Sequence, residues 1–169
     1  MDFVKAEIKE IPDIMNIIKN AQKYLEEEGI DQWQNNYPNP ETLVNDINNQ
    51  NSYLIKKENK IIATAAIIFG EDPTYNLIEN GEWISKGLYG VIHRAAVAPE
   101  YRGRGIISLI FKKTFQMGLD LGAKSIRIDT HQDNSSMQRA VKKAGFKYCG
   151  IIYTKDGSKR LAYERLIGR

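Results

Sequence analysis

The stretch from Leu88 to Thr130 constrains the fold more than any other part of the sequence. It reads as an apolar run, "LYGVIHRAAV", a glycine-rich turn, "YRGRGI", an amphipathic stretch to about Leu121, and a second apolar run, "SIRIDT". The apolar runs have the length and composition of buried strands, and the stretch between them has helical periodicity. Two strands joined through a helix run parallel, because a tight turn can join only antiparallel neighbours. The remaining strands follow one another through short connections. The expected class is therefore α/β (an α+β mixed sheet): a central, mostly antiparallel sheet with a parallel pair, flanked by helices.

The elements around this passage are also readable. Residues 3–8 alternate as a short first strand. Ile11, Ile14, Ile17, Ile18, Ala21 and Leu25 recur at helical spacing, with Pro12 suited to a first turn and Gly29 to a stop. "IDQWQNNYPNP" is a proline-broken loop, and a second helix is expected from Glu41 to Asn48. "SYLIKKENKIIATAAIIFG" predicts two strands turning near Glu58–Asn59. The connection from Gly70 to Gly87 is long enough to be functional or mobile. "SSMQRAVKKAG" is a helix, and "FKYCGIIY" and "RLAYERLI" are the closing strands.

A length of 169 residues predicts one domain spanning 1–169. Lys and Arg exceed Asp and Glu by only three, which gives no footprint for nucleic acid or an anionic membrane. The basic C-terminal stretch, with Lys155, Lys159, Arg160, Arg165 and Arg169, is interrupted by Asp156 and Glu164 and reads as a solvated strand face. No apolar run approaches the roughly 20 residues of a membrane span, and the N-terminus has no signal-like core. A lone Cys149 excludes an internal disulfide framework. These features predict a cytoplasmic protein that takes no nucleic acid or membrane partner, with a homodimer among the assemblies open to it.

The glycine-rich turn carries the first chemistry. A strand feeding a helix leaves the first helical N–H groups without intrahelical partners, and the helix dipole is positive there. Phosphate oxygens suit that position. Gly103 and Gly105 allow close backbone approach, while Arg102 and Arg104 add charge that can grip phosphate. The turn lacks the Gly-Lys-Ser/Thr ending of a P-loop and the three spaced glycines of a dinucleotide fingerprint.

Taken with "DNSSMQRAVKKAGF", the run "AAVAPEYRGRGI" resembles the GCN5-related N-acetyltransferase (GNAT) superfamily. The resemblance implies an acyl-CoA N-acyltransferase fold and acetyl-CoA as cosubstrate, with no metal. In that family the pattern R/Q-x-x-G-x-G/A holds the pyrophosphate. Arg102, Gly105 and Ile107 take its marked positions, with Ile107 in place of a small residue. Gly103, Arg104, Ile106 and Ser108 complete the implied cradle. Ala95, Ala96 and Val97 match the strand that pairs with the pantetheine arm, and the Val97 N–H matches the family's oxyanion donor. Asn134 matches an asparagine near the same arm, and "KKAGF" matches the family's helix ending.

Acetyl transfer to an alkylamine of pKa about 10 needs a base at neutral pH. The resemblance implies bases on the strand that carries His93, whose imidazole suits the task. Strand alternation places His93 on the face of Val91, Ala95 and Val97. His131 is expected to order the turn before Asn134, and Asp129 to hold that turn through an N–H bond. The family's usual acid, a tyrosine, falls at Val141, so Tyr148 or the Ser135 and Ser136 hydroxyls are the substitutes. Cys149 reads as a small hydrophobe. Trp33, Tyr37 and Trp83, with Asp31, Glu71, Asp72, Glu79 and Glu82 around them, suit a cationic acceptor. The expected activity is direct acetyl transfer to a primary amine of a small molecule or peptide. The alternative is a non-catalytic acyl-CoA sensor.

Overall fold

A computed structural model of the chain describes residues 1–168; Arg169, the last of the basic C-terminal residues, lies outside the described residues. The elements are β1 (Asp2–Lys5), α1 (Ile11–Glu27), α2 (Pro40–Asn48), β2 (Ser52–Lys57), β3 (Lys60–Phe69), β4 (Tyr89–Val97), α3 (Ile106–Leu121), β5 (Ser125–Thr130), α4 (Ser135–Lys143), β6 (Lys147–Tyr153) and β7 (Lys159–Leu166). The seven strands hydrogen-bond in the order β1-β2-β3-β4-β5-β7-β6. β4 and β5 are parallel, while β1/β2, β2/β3, β5/β7 and β6/β7 are antiparallel. This is the mixed sheet the helical crossover demanded. By contacts the chain forms two compact units: residues 1–67 with 94–110, and residues 68–93 with Phe111 onward.

In the first unit, Ile14, Ile17 and Ile18 of α1 pack with Leu43, Leu54, Ile61, Ala96 and Ala98. The helix ends where Gly29, at φ 70°, donates to Glu26 O and Ile30 donates to Leu25 O. That pair of bonds satisfies carbonyls the helix leaves open. Asn39 caps α2 by accepting from Thr42 N at 3.0 Å. The first strand is shorter than its alternation predicts. The backbone N–H of Glu7 donates to the Glu10 carboxylate at 2.9 Å, turning the chain into a short 3-10 helix at Ile8–Glu10.

In the second unit, α4 ends on the "KKAGF" motif. Phe146 N donates to Val141 O and its ring packs 5.4 Å from that of Phe111. Here the motif is a stop signal coupled to a core contact. The long connection is strapped down along its length. Tyr75 is 1% exposed, Trp83 Nε1 donates to Tyr75 O at 2.8 Å, and Glu79 exchanges two backbone bonds with Ile151. Gly81 is required there: a β-carbon would stand 1.8 Å from Cys149 O.

Glu164, 0% exposed, fastens the end of the connection. It accepts from Ser85 Oγ and Ser125 Oγ at 2.5 Å, from the N–H of Ile84, and from Arg127 Nε at 3.1 Å. Burial pushes the carboxyl's pKa up. The donors Ser125, Ser85 and Ile84 N–H, with the Arg127 charge, outweigh it and leave the pKa below the usual value. Arg127 in turn lies over the rings of Trp83 and Tyr89, at 4.2 and 3.9 Å.

Candidate active site

The turn after β4 is built as an anion cradle. A 3-10 turn at Pro99–Tyr101 leads to Gly103 and Gly105, both left-handed at φ 72° and 78°. A β-carbon at either glycine would meet nothing within 4 Å. The first intrahelical bond of α3 runs from Leu109 N to Gly105 O, so the amides of Ile106, Ile107 and Ser108 precede the helical ladder. Arg102 and Arg104 are exposed, and their guanidinium groups lie over the rings of Tyr24 and Tyr101 at 5.1 and 5.8 Å. Open glycines, helical amides outside the ladder and exposed cations fit a pyrophosphate. Ile107 is only half-buried at the helix start and leaves those amides in place.

The parallel pairing of β4 with β5 runs from Tyr89↔Ser125 to Ile92↔Ile128 and, among the described residues, goes no further. Both strands continue, and the next residues are His93 and Asp129. Arg94 then adopts a left-handed conformation, φ 52°, which is uncommon for a side chain with a β-carbon. Its guanidinium holds Asp46 through two bonds, at 2.8 and 2.6 Å, and donates to the Tyr37 hydroxyl at 2.9 Å. The regular alternation assumed for Val91, His93, Ala95 and Val97 is therefore interrupted at Arg94.

His93 is held by the long connection. Its Nε2 lies 2.7 Å from Asp72 Oδ2. Asp72 Oδ1 accepts from Thr74 N at 3.0 Å, and Asp72 N donates to the Tyr89 hydroxyl at 2.9 Å. Burial pushes the Asp72 carboxyl's pKa up, but the hydrogen bond and charge of His93, with the Thr74 contacts, bring it below the usual value. An ionised carboxylate accepts only, so neutral His93 carries its proton on Nε2 and keeps its lone pair on Nδ1. Tyr75 stands edge-on to the imidazole, with ring centroids 5.9 Å apart, and donates its hydroxyl to Asp129 Oδ1 at 2.5 Å. Burial first, and the Asp129 charge second, raise the Tyr75 pKa well above its usual value. The phenol therefore remains a donor.

The other sequence-predicted residues are distributed as follows. Tyr148 is 52% exposed on edge strand β6, with β7 and β5 between it and β4. The structure does not bring it to His93. Val141, the position of the expected tyrosine, is fully buried in α4. His131 orders its turn, accepting from Asp133 N through Nδ1 at 3.0 Å and from Asn134 N through its carbonyl. Asn134 caps α4 by accepting from Met137 N. Asp129 binds Tyr75 rather than a turn N–H. Trp83 is committed to Tyr75 and Arg127. Trp33 packs at the margin of the first unit's core and lines a 440 Å³ surface cavity with Lys19, Lys23 and Glu26. Burial raises the Cys149 thiol to about 11, an unreactive value. Sequence reasoning missed the pairing of Asp72 with His93 and of Tyr75 with Asp129, because neither has a local signal: the partners are 21 and 54 residues apart.

Comparison with known proteins identifies the family to which the mixed sheet and the glycine turn after β4 belong. The model of the acetyltransferase (GNAT) family matches residues 14–146, and the chain belongs to that family. An acetyltransferase of the GNAT family from Streptococcus agalactiae is 32% identical, with 99% of this chain and 96% of that one covered and a TM-score of 0.84. Two further structures share the fold. One is a predicted acetyltransferase of Clostridium acetobutylicum solved with acetyl-CoA, 24% identical over 86% of this chain and 89% of that one, TM-score 0.61. The other is a ribosomal-protein-alanine N-acetyltransferase of Brucella melitensis, 15% identical over 99% and 100%, TM-score 0.69. No curated protein matches the chain.

Proposed function

We propose that this acetyltransferase uses acetyl-CoA to acetylate a primary amine directly, with His93 as the general base and Asp72 as the residue that orients it. The observation carrying the reading is the 2.7 Å contact of His93 Nε2 with Asp72 at the point where β4 and β5 stop pairing. Acetyl-CoA, when bound, supplies an activated acetyl thioester. The amides of Ile106, Ile107 and Ser108, with Arg102 and Arg104, would hold its pyrophosphate, and Ala95 to Val97 would pair with its pantetheine arm.

His93 takes one proton from the acceptor's ammonium group at Nδ1, and the resulting imidazolium is stabilised by Asp72. The neutral nitrogen then bonds to the acetyl carbon as the carbon–sulfur bond breaks. The nitrogen's second proton goes to the departing sulfur, giving an acetamide and CoA thiol, and His93 returns its proton to solvent. Tyr148 takes no part in this scheme. An acceptor on a peptide terminus, as in the protein named for ribosomal-protein alanine, and a small-molecule amine are both open to it.

The test is thiol release from acetyl-CoA across a panel of small amines and peptides. Release with at least one amine, lowered in His93→Ala, supports the reading. Acetyl-CoA binding without release from any amine would support the sensor alternative.

A further inference from the structure

We infer that Asp129 is the acceptor-binding residue, its carboxylate receiving the ammonium group of a cationic primary amine beside His93; this rests on the acetyltransfer reading above. Three observations carry it. The first is register: Ile92↔Ile128 is the last pair of β4 and β5, so His93 and Asp129 are the first residues of the two strands released from the ladder. Both are turned to the side of the long connection, since each is held by a residue from it, His93 by Asp72 and Asp129 by Tyr75.

The second observation is the state of the carboxylate. Oδ1 accepts the Tyr75 hydroxyl at 2.5 Å, whereas Oδ2 has no hydrogen bond or ion pair among the described residues. A half-buried carboxylate with one oxygen fixed and the other open is oriented for a charged donor. The third observation is the aromatic side chain shared by both groups. Tyr75 is buried, stands edge-on to the His93 ring, meets Asp129 by its hydroxyl, and is itself stacked on Trp83 at 5.3 Å. One rigid residue thus sets both the carboxylate and the imidazole. Asp72 is already committed to His93 and Thr74, which leaves Asp129 as the carboxylate for the amine.

The substrate class follows from this chemistry. A cationic alkylamine gains a charge-assisted bond at Asp129 and delivers its proton to the neighbouring base, while an uncharged nucleophile gains neither.

The experiment compares wild type with Asp129→Asn, using the best alkylamine of the panel and hydroxylamine, which is neutral at pH 7.5. Asparagine keeps an oxygen for the Tyr75 hydroxyl and removes only the charge. The expected result is a KM for the alkylamine raised about 10- to 100-fold, the range for losing a hydrogen bond to a charged group. The KM for acetyl-CoA and the rate with hydroxylamine should stay within about twofold. An unchanged alkylamine KM, or equal losses with both nucleophiles, overturns the inference while leaving the acetyltransfer reading standing. Absence of thiol release by wild type with every amine overturns that reading and the inference together. Should Asp129→Asn fold poorly, Tyr75→Phe tests the same point, because it removes the hydroxyl that orients the carboxylate. It should raise the alkylamine KM with hydroxylamine turnover retained, and parallel losses would count against the proposal.

Discussion

A single hydrogen bond decides which nitrogen of His93 can act as base. With Asp72 ionised, the proton sits on Nε2 and Nδ1 is free. Asparagine at position 72 would present an N–H to Nε2 instead, moving the ring proton to Nδ1 and removing the lone pair. Asp72→Asn should therefore lower kcat/KM by about 10²–10⁴, as should His93→Ala, the usual contribution of a positioned base. Rate against pH checks both: each variant should lose the acid limb of the wild-type profile, and high pH should partly rescue His93→Ala because more amine arrives neutral. The same contact is a stability device. Because the folded Asp72 carboxyl titrates below its unfolded value of about 3.9, its contribution is complete above that pH. It fades as pH falls through the lowered folded value. The Tm gap between wild type and Asp72→Asn should accordingly hold above about pH 4 and narrow as the pH falls below it. At this scale the sequence singled out His93 by its strand, but Asp72 only as one of several loop carboxylates. Their pairing depends on how a connection 21 residues upstream folds back, and no local pattern encodes that.

The long connection shows how an element can be located in sequence while its partners stay hidden. Its length marks it as functional or mobile, and its boundaries at Gly70 and Gly87 are visible. Its rigidity comes from non-local partners: Glu164 on β7, Ile151 on β6 and Asp129 on β5. The helices were far more legible, since their periodicity, the Pro12 start and the Gly29 stop are all local. The connection's backbone touches β6 at Gly81, where a β-carbon would fall on Cys149 O. Gly81→Ala must push the two segments apart, at a cost of about 1–3 kcal/mol as for other overpacked sites. Hydrogen exchange should quicken at the Glu79 and Ile151 amides, and chemical denaturation should report the lost stability. Because the connection carries Asp72, activity should fall as well. Normal exchange and turnover in the variant would show that the connection tolerates displacement without moving His93's partner.

At the scale of the molecule, the family was legible because its cofactor turn is written in consecutive residues. Arg102, Gly103, Arg104 and Gly105 need only the strand before them and the helix after them. The helical crossover that positions them also dictates the parallel pair. This locality gives the proposed cofactor site a test that separates binding from folding. Gly105 is left-handed, so any side chain there costs about 1–2 kcal/mol of backbone strain, yet a β-carbon meets no atom within 4 Å. Gly105→Ala should therefore lower Tm by only a few degrees. Gly105→Glu carries the same strain and adds a carboxylate in front of the amides of Ile106, Ile107 and Ser108. If these amides receive the pyrophosphate, like-charge repulsion and lost access should weaken acetyl-CoA by more than tenfold beyond the alanine variant, at nearly equal Tm. Calorimetric titration of both folded variants with acetyl-CoA makes the comparison. Equal affinities for alanine and glutamate at position 105 would place the phosphates elsewhere, whatever the loss of stability. A difference confined to affinity identifies the cost of the two glycines as the condition for phosphate approach.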